Sequence, residues 1–128
     1  MLVLMSVAPV LAESAGARAY YTNAFAYGQC TWYAFQMRPD LAGNVWGNAS
    51  NWAYAARASG HATGYNPRAG AVAVFQPGVQ GAWGAGHVAY VAAVGANGWF
   101  LVREMDFPYA GHVSSRWAHA GGGVTFIY

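Results

Sequence analysis

Apolar positions divide the chain into a short apolar start, two helical segments and a later run of strands. Met1 to Leu11 is apolar apart from Ser6 and Pro9. That is too short for a membrane span and has the length of a signal-peptide apolar region. Small residues follow, offering cleavage after Ala12, Ala17 or Ala19. A positively charged start is missing, so the alternative reading is a truncated start or an N-terminal strand that packs. Residues 1–19 are read as a leader or its remnant and 20–128 as one folded domain. Gly28-Gln29 to Arg38 reads as a short helix stopped by Pro39. Its dense apolar residues, Trp32, Tyr33, Phe35 and Met37, predict burial on most sides. Asn48 to Ser59 reads as a second helix, with Asn48 or Ser50 as cap and Gly60 at the left-handed C-terminal position. Trp52, Ala53, Ala55 and Ala56 give it a face suited to close packing.

The pattern changes after Pro67. Gly70 to Phe75 is an apolar strand ended by Pro77-Gly78, and residues 77–86 form a Gly-rich loop containing Trp83. His87 to Val94 and Trp99 to Met105 flank Gly95-Ala96-Asn97-Gly98, a strong hairpin pattern. Val124 to Tyr128 reads as a further strand, and Val113 to Ala118 carries a fainter one. Helices first and strands afterwards indicate an α+β fold.

The hairpin dictates which side chains meet. With a four-residue loop, Val94 lies opposite Trp99, Ala89 opposite Glu104 and His87 opposite Asp106. A two-residue turn shifts the pairs but keeps their parity, so His87, Glu104 and Asp106 share one face in either register. A bulge would disturb this count.

Composition narrows the function classes. The 128 residues fit one domain, and their charged fraction of 8% is about a third of the usual ~25%. All the basic residues are arginines, the formal net charge is only +2, and no basic run or stripe exists. This excludes a nucleic-acid footprint. Six tryptophans, nine tyrosines and six phenylalanines exceed what a small core needs. Some are therefore expected to line a groove, the rest to pack.

Cys30 is the single cysteine, so it cannot close an internal disulfide. It stands just after a glycine turn at the start of a predicted helix, where backbone N–H groups favour a thiolate. Together with an imidazole at a strand start and a carboxylate one strand over, it supplies the parts of a cysteine-hydrolase triad: Cys30, His87 and Glu104, with Asp106 on the same face. The Cys30 N–H is one oxyanion donor in this reading and Gln29 the second. Each residue also has a plain reading: a small buried hydrophobe, a structural histidine, a carboxylate in an apolar strand. An unpaired carboxylate there would be costly, which argues for a partner. His61, His112 and His119 read as structural. A metal reading would gather His87, Glu104, Asp106 and His112, but neither an HExxH nor a paired-cysteine spacing supports it.

Several stretches resemble successive motifs of the cysteine, histidine-dependent amidohydrolase/peptidase (CHAP) family. They are Tyr27-Gly28-Gln29-Cys30-Thr31-Trp32-Tyr33, Trp46-Gly47-Asn48-Ala49 with Asn51-Trp52, Pro67 with Gly70-Ala71-Val72-Ala73, Gly86-His87-Val88-Ala89-Tyr90-Val91 and Arg103-Glu104-Met105. The resemblance covers about residues 27–128. It implies a papain-like α+β fold, N-terminal helices packed on an antiparallel sheet of about five to six strands, with the site in a groove between them. It implies that 20–128 is a catalytic domain cleaving peptidoglycan amide bonds, as an endopeptidase or an N-acetylmuramoyl-L-alanine amidase. Cys30 would be the nucleophile, His87 the base and later acid, and Glu104 the residue orienting His87. Family members often carry Asn where this chain has Asp106, which leaves open which acid orients His87.

By position, Trp46, Trp52 and Trp83 are candidate groove walls. The expected setting is a secreted, cell-envelope monomer acting on peptidoglycan, with no metal or organic cofactor, no nucleic acid and no membrane insertion. The competing readings are a catalytically silent wall-binding or structural module, and an antibacterial effector or phage lysin with the same chemistry.

Overall fold

The computed structural model of the chain describes residues 22–41 and 45–128. The leader read at residues 1–19 lies outside them. Helix α1 spans Cys30–Met37. It stops where the sequence predicts: Arg38, the residue before Pro39, has left the helical region at φ −133°, ψ 67°, as the proline ring requires of its predecessor. A 3₁₀ turn at Ala49–Asn51 leads into α2, Trp52–Ala58. Gly60, at φ +87°, closes it in the left-handed conformation.

Six strands follow: β1 Thr63–Gly64, β2 Val72–Phe75, β3 His87–Val94, β4 Trp99–Met105, β5 Val113–His119 and β6 Val124–Ile127. They form one antiparallel sheet in the order β1-β6-β2-β3-β4-β5. The architecture is the papain-like α+β arrangement. Two elements exceed the sequence reading. β1 is a two-residue edge with no apolar pattern, paired with Phe126 and Ile127. β5 is a full seven-residue edge strand in unbroken register with β4, from Trp99↔His119 to Met105↔Val113.

The hairpin register needs one correction. Near the turn Val94 pairs with Phe100, not Trp99. Gly95 N–H donates to the Trp99 carbonyl at 2.8 Å, so the turn takes in one residue more than expected. A bulge between Val91 and Ala93 absorbs that residue, and Val91↔Val102 and Tyr90↔Arg103 return to the expected register. Continued outward, this places Ala89 against Glu104. It does not extend to Asp106, because β4 ends at Met105 and Asp106 turns away at φ +60°.

Both faces of the central strands are covered, which is why β2 reads as an apolar run and not an alternation. Val72, Val74, Val88 and Ile127 pack against Ala34, Phe35, Leu41, Trp52 and Ala56 from the helical side. On the opposite face Ala73, Phe75, Ala89, Val91, Phe100, Val102 and Phe126 form a second layer, closed by Ala82 and Val79 of the Gly-rich loop. Arg38 pins the end of α1 to the sheet. Its guanidinium donates to the carbonyls of Gly70 (2.6 Å) and Tyr128 (2.9 Å) and pairs with Asp40 (2.8 Å). That pairing holds the Asp40 carboxyl below its ordinary range.

Candidate active site

Two glycines aim the first two side chains of the site. Gly28, at φ +101°, makes the turn before α1, and its carbonyl accepts from Gly111 N–H at 2.8 Å. Gln29 follows in extended conformation as N-cap, without a capping bond from its side chain. Cys30 is then the first helical residue. Its N–H has no partner four residues back, and the helix end favours negative charge there. Gly86, at φ +78°, precedes His87. A Cβ at this position would come within 2.7 Å of the Ser50 backbone nitrogen and 2.9 Å of the Phe75 carbonyl. Only glycine lets the loop pass so close to the turn before α2, and this close approach places the imidazole at the end of the sheet beside the thiol.

His87 and Glu104 are both shut off from solvent, at 1% and 0% exposure. His87 Nε2 donates to Glu104 Oε1 at 2.7 Å, which leaves Nδ1 as the ring nitrogen free to meet the thiol. Burial pushes the imidazole pKa down. Hydrogen bonds to Cys30 and Glu104, and the charges of both, more than offset this and raise it to about 9. The site is thus electrostatically suited to an imidazolium. Rings of Phe75 (6.0 Å) and Phe107 (5.6 Å) flank His87.

Cys30 and His87 open on a groove of about 420 Å³, whose walls include Phe25, Gln29, Asn48, Trp83 and Asp106. Of the carboxylates placed near His87 by the strand count, Glu104 makes the hydrogen bond. Asp106, half-buried, lines the groove instead.

The family model described as CHAP domain matches residues 20–106. The chain belongs to the CHAP family. The Staphylococcal secretory antigen ssaA2 of Staphylococcus aureus strain NCTC 8325 / PS 47 is 43% identical over 109 residues, covering 83% of this chain and 39% of the antigen. The secretory antigen SsaA of that strain is 42% identical over 110 residues, covering 84% and 41%. This chain therefore spans about two fifths of the length of these curated relatives. Among solved structures, an N-acetylmuramoyl-L-alanine amidase from Staphylococcus aureus superposes with a TM-score of 0.69 at 30% identity, over 78% of this chain and 30% of that one. Ly7917, solved with the hydrolyzing product of MDP, superposes at 0.55 with 20% identity over 78% and 53%, a likeness of fold alone.

Within this CHAP domain the three tryptophans read as groove walls separate. Trp83 is 64% exposed and lines the groove. Trp46 and Trp52 do not line it. Both are core residues, packed edge-to-face at 5.5 Å, and the Trp52 indole N–H donates to the Gly47 carbonyl. Trp46 precedes the 3₁₀ turn and Trp52 opens α2, both facing the core, while Asn48 between them lines the groove. The remaining histidines lie elsewhere. His61 packs on Trp46, His112 on Tyr109, and His119 reaches the Asn97 carbonyl of the hairpin turn.

Sequence reasoning missed Arg116. Its Nε donates to Glu104 Oε2 at 2.8 Å, and its Nη1 donates to the Gln80 carbonyl at 2.6 Å. The guanidinium lies 3.9 Å from the centre of the Phe107 ring. A signal was present: Arg116 is the only charged residue in the β5 pattern, and a buried Glu104 needs a cation.

Proposed function

We propose that this domain hydrolyses peptidoglycan amide bonds through a cysteine nucleophile. The observation that carries the reading is the buried His87, hydrogen-bonded to Glu104 and sharing the lining of one open groove with Cys30. In this mechanism the thiol proton resides on His87, and the Cys30 thiolate attacks the scissile carbonyl carbon. The Cys30 N–H and a donor from Gln29 receive the developing oxyanion. The imidazolium passes its proton to the departing amine, leaving a thioester on Cys30. His87 then takes a proton from water, which attacks the thioester, releases the acid and restores the pair. Glu104 holds the imidazole in orientation and supports its cationic form. Trp83 forms a wall for the substrate.

The structural likeness to an N-acetylmuramoyl-L-alanine amidase supports the substrate class. The secretory naming of the relatives supports export to the cell envelope. No helix among the described residues is long and apolar enough to cross a membrane.

Digestion of purified peptidoglycan tests the reading, with new free amines measured against new reducing sugar ends. Wild type is expected to release amines but no reducing ends, and Cys30→Ala to release neither. Reducing ends, or amine release that survives Cys30→Ala, would overturn the proposal. Mass spectrometry of the fragments separates endopeptidase from amidase.

A further inference from the structure

We propose that Arg116 is a positioning residue of this site, acting through Glu104 to keep the carboxylate charged and aimed at His87. The inference rests on the cysteine-hydrolase reading, and its test separates the two.

Glu104 has no access to water, so each oxygen must be satisfied within the protein. Oε1 accepts from His87, and Oε2 accepts from Arg116. A buried carboxylate whose only partner is an imidazole has an easy alternative: it takes the imidazole proton, and both groups become neutral. A permanently charged guanidinium on the far oxygen removes that alternative, because arginine does not surrender a proton. The carboxylate then stays anionic and the imidazole can stay cationic beside the thiolate.

The guanidinium is itself held on three sides. Phe107 lies against its face, the Phe75 ring is 5.3 Å away, and the Gln80 carbonyl takes Nη1. Gln80 sits at φ +47° and is fixed in turn to His119, by its amide to the His119 carbonyl and by the His119 N–H to its Oε1. Its loop carries Trp83. Arg116 therefore connects the acid of the site to the loop that forms the groove wall. The titratable groups around His87 are Cys30 from α1, Glu104 from β4 with Arg116 of β5 behind it, and Asp106 on the groove.

Because Cys30 is the only thiol, its reaction with iodoacetamide reads the site without any substrate. The thiolate displaces iodide and forms a thioether, so the rate follows the thiolate population. Alkylation rate against pH is measured for wild type, Arg116→Gln and Arg116→Lys. Losing a positive charge disfavours every anion nearby, so the acid-side inflection of Arg116→Gln is expected about one pH unit above wild type. Arg116→Lys keeps the charge and is expected to stay close to wild type. A role confined to loop packing would instead lower thermal stability in both variants and leave both inflections in place. That result would overturn the proposal.

Should Arg116→Gln fail to fold, Glu104→Gln and the double variant carry the test. Removing both members of a buried pair is better tolerated than removing one. If Arg116 acts through Glu104, the two share one inflection, and a further shift in the double variant overturns the inference. If wild type shows the expected thiol profile but releases no amines from peptidoglycan, the substrate reading fails while the role of Arg116 stands.

Discussion

His87 and Glu104 meet at 2.7 Å from adjacent strands, with neither side chain reaching solvent. The contact depends on a register that slips near the turn and is restored by the bulge after Val91. It ranks the two acids near the imidazole, because Asp106 lies beyond the strand and faces the groove.

Glu104→Gln is therefore expected to lower kcat by about 10²-fold or more, and Asp106→Asn by less than about tenfold. Glu104→Gln also leaves Arg116 without its carboxylate and is expected to lower stability by about 3 kcal/mol. Steady-state rates and denaturant unfolding check both effects. The reverse ranking in kcat would reassign the orienting acid to Asp106.

The aromatic residues divide the same way. Trp83→Ala is expected to raise KM several-fold while changing stability by less than about 0.5 kcal/mol, because the side chain is mostly exposed. Trp52→Ala removes a fully buried ring and an indole hydrogen bond, and is expected to cost about 3–5 kcal/mol. Unchanged KM in Trp83→Ala would remove it from the groove wall.

Stability should depend on pH through His87. Its pKa is raised to about 9 in the folded chain, against about 6.5 for an unperturbed histidine. A raised value means that the folded state holds its proton more tightly than the unfolded state. The stabilisation is fully present below about pH 6.5 and is lost as pH rises through about 9. Thermal unfolding from pH 6 to 10 is expected to show Tm falling across that window, more in wild type than in His87→Ala. Hydrolysis by an imidazolium-dependent site should fall over the same alkaline range.

Gly86→Ala combines a strained backbone with a collision against Ser50 and the Phe75 carbonyl. A loss of about 2 kcal/mol or more is expected, and a fall in kcat besides, since His87 is the next residue. Wild-type kcat in this variant would show that the Gly86 turn does not set the imidazole.

Much of this was legible in the sequence because it followed from spacing. Pro39 ended α1, Gly60 closed α2, and two apolar runs around a Gly/Asn turn gave the hairpin that brings His87 and Glu104 to one face. The bulge was not legible, because no residue type marks Ala92 as the extra one. Trp46 and Trp52 could not be told from Trp83, since burial depends on which way a turn faces and not on side-chain type. Arg116 was missed for the opposite reason. It lies on an edge strand with a faint pattern, and its partner is assigned only by the pairing of β5 with β4.

The strand order has a consequence for assembly of the sheet. β6, the last of the six strands in chain order, lies between β1 and β2, inside the sheet and not at its rim. The sheet that carries His87 and Glu104 is thus incomplete until residues 124–127 have been inserted. The proposed site therefore depends on a strand that contributes no residue to the groove: β6 covers the edge of β2, and β2 pairs with the strand that begins at His87.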